Sequence, residues 1–346
     1  MTHSAQLLTI GLAAILSSDC RARPGNASPV RPDQPAASDA MDRISDAGAA
    51  ISLDSPYRRK ANVFKGQLHA HTINSDGTQS PAAVMVAYRK AGYDFASITD
   101  HNRNTPDPRV PGILFLPGVE NDHACLHENR IDATTAAPGA RMPQDVIDQA
   151  RREGSFVQVN HPDWPGIYPL NPCWSNQALL AVRGYDAIEA WNASDDEANR
   201  NAETRIDYVL SHGRRTNLTA VDDCHDVRAG YCMTSSVRVF ADALTAADIM
   251  ASLKAGNFYA SSGAAISSVT AVGPTLSVSL PEAGEIEFVS DGGAVVKRAR
   301  GVQTSSFTVT GRETYVRIRV TDAKRRRAWS NPVYVTPSSR PPAGGG

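Results

Sequence analysis

Two histidines stand one residue apart in His69-Ala70-His71, at the end of a stretch from Gly66 that reads as a strand. Side chains alternate faces along a strand, so both imidazoles project from the same side. Two ring nitrogens converging on one point can grip a transition metal. Such a pair is a weak signal alone. Asp76 follows within Ser75-Asp76-Gly77, a turn able to return a carboxylate toward the same place. Four further segments then end in groups of the same kind: Asp100-His101, Glu120, His161 and Asp223-Cys224-His225. Gathered at one mouth, so many imidazoles and carboxylates would repel one another or stay unsatisfied without cations. A mixed nitrogen and oxygen set suits zinc, manganese or iron.

The elements that must position these groups follow one grammar. Short apolar runs at Phe95–Ile98, Ile113–Val119, Phe156–Val159 and Leu218–Val221 read as strands, each delivering one of the groups; Ala187–Ala190 is a further strand. Ser80-Pro81 offers an N-cap and a proline at the first helical position, and predicts a helix over Ala82–Ala91 that stops at Gly92. Further helices are predicted from Pro143 to Glu153, from about Asp195 to His212, and from a Thr245 cap to Gly256. Repeated β-α units imply a parallel sheet with helices outside, either a barrel or an open sheet. The reactive groups fall just after strand C-termini, where α/β barrels collect their active sites. From about Ile266 the grammar changes to alternating strands at Leu276–Leu280, Glu285–Val289, Ser306–Val309 and Thr314–Val320, a small antiparallel β module of sandwich type. Arg325-Arg326-Arg327 reads as a solvated turn, and His212 as a surface cation near a helix end.

The chain carries 35 Lys and Arg against 36 Asp and Glu, a net charge of −1, so no basic field points to nucleic acid or an anionic membrane. The apolar run Leu7–Leu16 has signal-peptide length and is too short to span a bilayer. Export to the periplasm or beyond is therefore expected; Cys20 would permit a lipoprotein, but its flanks fit one poorly. Loss of a leader through residue 20 would leave Cys125, Cys173, Cys224 and Cys232, which allow three pairings. Cys224 and Cys232 enclose a short loop and are the preferred pair, with four free thiols as the alternative. None lies in a C-x-x-C arrangement, so a zinc-thiolate site has little support.

The set of motifs resembles the PHP (polymerase and histidinol phosphatase) superfamily of metal-dependent hydrolases. His69-Ala70-His71-Thr72 to Ser75-Asp76-Gly77-Thr78 is similar to the first motif, and Ile98-Thr99-Asp100-His101-Asn102 to the second. Pro117-Gly118-Val119-Glu120, Asn160-His161-Pro162 and Asp223-Cys224-His225 are similar to the later ones. The likeness runs from about Gly66 to Gly263. Ile188–Asn192, Gly256–Gly263 and Ala328–Pro332 resemble the bacterial branch with an appended C-terminal β domain.

The resemblance implies an α/β fold, a PHP-type distorted (β/α)7 barrel followed by a small antiparallel β-sandwich-like module. The expected segments are a signal peptide at 1–20, a disordered linker at 21–57, a PHP domain at 58–265, a β module at 266–337 and a disordered tail at 338–346. It implies two or three divalent ions (Mn, Zn or Fe): one held by His69, His71, Glu120 and Asp223, a second by the bridging Glu120 with His127 and His161, a third by Asp76, His101 and His225. His123 competes with His127. Asp100 is expected to orient a ligand rather than to be one, and Glu189 either lines the pocket or is a structural carboxylate. Trp164, Trp174 and Trp191 divide between pocket wall and core.

The implied reaction is hydrolysis of a small-molecule phosphoester by a metal-bridging hydroxide, with Asp223 or His225 handling protons and Arg103 and Arg228 as phosphate contacts. Nucleic acid is not expected as a partner except as a small nucleotide. The alternatives are hydrolysis of a carboxyl ester, carbamate or amide by the same metals, and an exported binding protein with structural metals.

Overall fold

A computed structural model describes residues 51–123, 125–135, 142–164, 173–194 and 200–337. The expected signal peptide, Cys20, most of the expected linker and the expected tail fall outside these residues. The first elements are β1 (Ile51–Asp54), β2 (Asn62–Gln67), α1 (Pro81–Lys90), β3 (Phe95–Ile98), β4 (Leu114–His123) and β5 (Leu126–Ile131). There follow α2 (Pro143–Glu153), β6 (Phe156–Val159), α3 (Asn176–Ala181), β7 (Ala187–Asn192), α4 (Glu203–Ser211), β8 (Asn217–Val221), β9 (Ser236–Ala241), α5 (Ala246–Lys254) and β10 (Phe258–Ser261). The chain closes with β11 (Ser268–Val272), β12 (Thr275–Ser290), β13 (Ala294–Thr308), β14 (Tyr315–Thr321), β15 (Arg327–Ser330) and β16 (Val333–Pro337).

The helices begin where their caps dictate. The Ser80 hydroxyl accepts from the Ala83 amide ahead of Pro81, and the Thr245 hydroxyl accepts from the Asp248 amide. Helix α2 ends at Gly154, whose φ of 79° suits a residue without a Cβ. The helix expected from Asp195 begins only at Glu203, and residues 195–199 lie outside the described set.

One mixed sheet path runs β1-β16-β14-β15-β10-β9-β2-β3-β4-β5-β6-β7-β8. Pairings β2–β3, β3–β4, β6–β7 and β7–β8 are parallel, as expected of β-α units. The hairpin of β4 and β5, and the pairing of β5 with β6, are antiparallel. Beyond the strand ends, Ala70 bridges Cys224, joining the chain after β2 to the chain after β8.

Three expectations need correction. The linker drawn to residue 57 ends earlier, because Ile51–Asp54 pairs with β16 and Tyr57 is buried against Phe240. The strand expected through His71 stops at Gln67, because the side-chain oxygen of Gln67 accepts from the Leu68 and His69 amides and ends the ladder. The separate strands at 276–280 and 285–289 are one bent strand, β12, with register shifts between Ser279 and Glu285.

The C-terminal strands are antiparallel, as predicted, and continuous with the rest. β15 pairs with β10, while Trp329 and Tyr315 share a core with Ile188, Ala190 and Val209. Between them lies a buried ionic cluster: Arg317 on β14 forks onto Asp207 of α4 at 2.8 and 2.6 Å and reaches Glu203 at 2.9 Å.

Candidate metal centre

The cluster lies just past the C-terminal ends of β2, β3, β6 and β8 and along the β4–β5 hairpin. His69 and His71 flank Ala70, whose extended backbone is held by the Cys224 bridge, so their rings share a side although β2 has ended. Nε2 of His69 is 3.0 Å from Glu120 Oε2 and 3.2 Å from Asp223 Oδ1; the His71 Nε2 distances are 3.2 and 3.1 Å. Across the same glutamate, His127 Nδ1 lies 3.1 Å and His161 Nε2 3.3 Å from Oε1. Asp76 faces His101 at 3.5 Å and His225 at 3.3 Å. Asp76 can return because Gly77 lies against the His71 backbone, where a Cβ would come within 2.6 Å. A cavity of about 290 Å³ opens over Glu120, His127, His161, Asp223 and His225.

All nine expected metal-binding residues are therefore brought together. Three subsets have ligand atoms close enough to hold one ion: His69, His71 and Glu120; His71, Asp76, His101 and His225; His101, Glu120 and His127. Buried His71 Nε2 and Asp223 Oδ1, though 3.1 Å apart, are not aligned as donor and acceptor, and neither has a hydrogen-bond partner among the described residues. Buried nitrogen and oxygen atoms left without a hydrogen-bond partner at a common point fit a cation.

The electrostatics agree. Burial opposes charge on His69, but the carboxylates of Asp223, Glu120 and Glu189 outweigh it and raise its pKa well above the usual imidazole value. Burial likewise opposes charge on Glu120 and Asp223, yet the surrounding imidazoles hold both well below the carboxylate range. His101 is pushed up to about 11 and His161 to about 9; burial works against both shifts, and hydrogen bonds to carboxylates drive them. Such rings hold protons that a metal would displace.

Of the competing histidines, His127 faces the site and His123 does not: His123 turns to Glu128, 3.0 Å away. Asp100 accepts from the Thr72 amide and hydroxyl, both at 2.7 Å, and from Ser75, and so braces the turn that carries Asp76. Glu189 is buried behind the rings. Its Oε1 meets His69 Nδ1 at 2.7 Å and its Oε2 accepts from the His161 amide at 2.6 Å. Trp164 walls the cavity, while Trp174 is core and donates to the His127 carbonyl. Neither Arg103 nor Arg228 lines the cavity. Arg103 is exposed, and Arg228 is forked onto Asp226, two residues away, at 2.9 and 2.7 Å.

Several residues at the site were given no role from the sequence. Asp122 lies 2.6 Å from His101 Nδ1, Asn160 donates to Glu120 Oε1 at 2.8 Å, and Ser194 donates to Asp223 Oδ2 at 2.9 Å. Asp122 sits two residues beyond Glu120, so continuing the strand alternation one step would have found it.

No family model and no curated protein matches the chain. Among solved structures, it resembles a two-domain protein from Bacteroides vulgatus containing a predicted PHP-like metal-dependent phosphoesterase. That likeness has 19% identity, covers 77% of this chain and 93% of the other, and has a TM-score of 0.50. It also resembles a candidate metal-dependent phosphoesterase from Bifidobacterium adolescentis (16% identity, 48% and 89% covered, TM-score 0.38). A third likeness is to a lesion-specific endonuclease Q from Pyrococcus furiosus (14% identity, 56% of each chain, TM-score 0.41). The chain has the fold of a PHP-like protein with a second domain, in keeping with the resemblance of its motifs. No helix among the described residues is long and apolar enough to cross a membrane.

Proposed function

We propose that the protein is a metal-dependent phosphoesterase acting on a small molecule, with its site on a distorted seven-stranded barrel formed by β2 to β8 and its β module spanning residues 266–337. The observation that carries this reading is the convergence of His69, His71, Glu120 and Asp223, with buried atoms of His71 and Asp223 left unpartnered among the described residues. His69, His71, Glu120 and Asp223 would hold one ion, Glu120 with His127 and His161 a second, and Asp76, His101 and His225 a third. Divalent ions there would supply Lewis acidity, lowering the pKa of water and neutralising phosphoryl oxygens.

The chain's own residues do the rest. Glu189 fixes the His69 tautomer by accepting from Nδ1, which leaves Nε2 free to ligate. Asn192 and Ser194 hold Asp223 Oδ2, so Oδ1 faces the imidazoles. His225 is half-buried at the cavity edge, suited to exchanging protons with a leaving group. Trp164 shields one wall from water.

A second reading is supported by the cavity lining, which contains Trp164 and no Lys or Arg among the described residues. A carboxyl ester or amide would need no cationic wall. The pairs Cys125–Cys173 and Cys224–Cys232 support an exported setting.

The test loads purified protein with Mn²⁺, Zn²⁺ or Fe²⁺, counts bound metal, and measures turnover of aryl phosphomonoester, phosphodiester and carboxyl-ester substrates. Two or three ions, with phosphoester turnover lost in His69→Ala, is the expected result. Carboxyl-ester turnover alone would favour the second reading, and failure to bind metal would overturn both.

A further inference from the structure

A second cleft, of about 420 Å³, adjoins the metal-binding residues and is lined by Trp191, Arg200, Tyr231, Arg325 and Arg326 among others, with no carboxylate in its wall among the described residues. It is next to the first cavity in the chain. Ala193 lines it while Ser194 lines the other, and the Tyr231 hydroxyl accepts from the His225 amide at 3.4 Å. Trp191 forms an aromatic floor, packed on Trp329 and faced by the Arg200 guanidinium 5.6 Å from its ring.

The far wall comes from the β14–β15 hairpin. Its turn is closed by the Asp322 amide donating to the Arg326 carbonyl and the Arg325 amide donating to the Asp322 carbonyl. The Asp322 carboxylate accepts from the Lys324 and Arg326 amides and pairs with the Arg326 side chain at 2.7 Å. Arg325 sits at φ 64°, a left-handed position where hairpins favour glycine. Its guanidinium is exposed and makes no hydrogen bond or ion pair among the described residues. Arg326 reaches the cleft because Gly263 lies under its stem, where a Cβ would come within 2.7 Å of its Cδ. Folding alone would be served better by glycine at 325, so the arginine is a cost that a ligand would explain.

We propose that this cleft is a subsite for a second anionic group of the substrate, a carboxylate or a phosphoryl group joined to the scissile ester by an aromatic or similarly flat portion that rests on Trp191. The proposal builds on the phosphoesterase reading and gives the β module a part in substrate recognition, since its hairpin supplies the positive charge that the metal cavity wall lacks.

Arg325→Gly in the full chain tests it, since the change relieves the left-handed strain and leaves every residue of the metal centre in place. Its unfolding midpoint should match or exceed that of the unaltered protein. With metal-loaded protein, 4-carboxyphenyl phosphate should be turned over at a higher kcat/KM than phenyl phosphate. Arg325→Gly should erase that advantage by roughly tenfold while sparing phenyl phosphate, as expected for loss of a charge-assisted contact. Equal use of the two substrates by the unaltered protein, or an equal loss on both in the variant, would overturn the proposal. Equilibrium binding of benzoate and phenylphosphonate to metal-free protein separates carboxylate from phosphoryl recognition. It also decides the subsite if no phosphoester is hydrolysed: binding that Arg325→Gly weakens supports the subsite although the phosphoesterase reading fails. No binding of either anion would overturn it.

Discussion

Replacing Glu189 by glutamine changes no volume and removes one charge, and the hydrogen bonds around it determine the consequence. Oε1 accepts from Gln158 Nε2 at 2.7 Å and meets His69 Nδ1 at 2.7 Å; Oε2 accepts from the His161 amide at 2.6 Å and from Asn192 at 3.0 Å. Four groups therefore converge on a side chain that would keep only one oxygen. With the new NH2 at the Oε1 position, it faces Gln158 and His69. The His69 ring could then accept at Nδ1 only by giving up the proton there and keeping one on Nε2, the nitrogen aimed at Glu120 and Asp223. With the NH2 at the Oε2 position, it faces the His161 backbone amide, which has no other tautomer. Either way about two buried donors lose an acceptor, at roughly 1–3 kcal/mol each, so a loss of roughly 2–6 kcal/mol in folding stability is expected. Metal affinity should fall by roughly 10–100-fold, the usual penalty for losing the partner that orients a ligating imidazole. Urea unfolding of metal-free protein measures the first effect, and competition with a graded chelator the second. Stability and metal affinity both indistinguishable from the unaltered protein would refute the claim that Glu189 sets the His69 tautomer and the His161 backbone.

Metal-free protein should lose stability as pH rises. His161 and His101 are raised above the unfolded value, so their contribution is complete below about pH 6.5 and is lost as pH climbs through about 9 and about 11. Glu120 and Asp223 are depressed, so their contribution disappears only in acid. Metal binding replaces those protons, and metal affinity should rise over the alkaline range where metal-free stability falls; calorimetric titration in buffers of differing ionisation enthalpy reads the released protons. Asp207→Asn should cost about 3 kcal/mol by urea unfolding, because buried Arg317 loses its forked partner and keeps Glu203 alone. A single unfolding transition is expected in this variant, since Tyr315 and Trp329 share one core with β7 and α4.

The candidate ligands were legible because few side chains can do such work. A cluster of His, Asp and Glu after successive apolar runs has no ready structural use, so His69, His71, Glu120, His161, Asp223 and His225 could be gathered before any geometry was known. The strands and helix caps that position them follow from short apolar runs and from Ser80, Thr245 and Gly154. Strand β5 was hidden. Its sequence, Leu126-His127-Glu128-Asn129-Arg130-Ile131, has no apolar alternation, because His127 and Asn129 face the site and Arg130 is paired with Glu153. Missing the hairpin is also why His123 and His127 could not be separated by distance along the chain. Only the pairing of Asp122 opposite His127 puts His127 toward Glu120.

Positioning residues were harder to see, and the reason is physical. A metal ligand must be one of a few chemical types, whereas the group that orients it need only offer a hydrogen bond, so Glu189, Asn160, Asn192 and Ser194 resemble ordinary strand-end polar residues. Backbone conformation is less legible still. His161 and Asp223 adopt φ of 27° and 52°, in a region that side chains other than glycine seldom occupy. Strain of this kind persists where surrounding bonds over-determine it. Here the Glu189 carboxylate holds the His161 amide, while Asn192 and Ser194 hold the Asp223 carboxylate. The two strained residues and Glu189 thus form one unit: the carboxylate that meets His69 Nδ1 also holds the His161 amide in its unfavourable turn. Loosening that carboxylate should release both rings together, and metal affinity in the Glu189 variant should fall further than loss of a single ligand contact would explain.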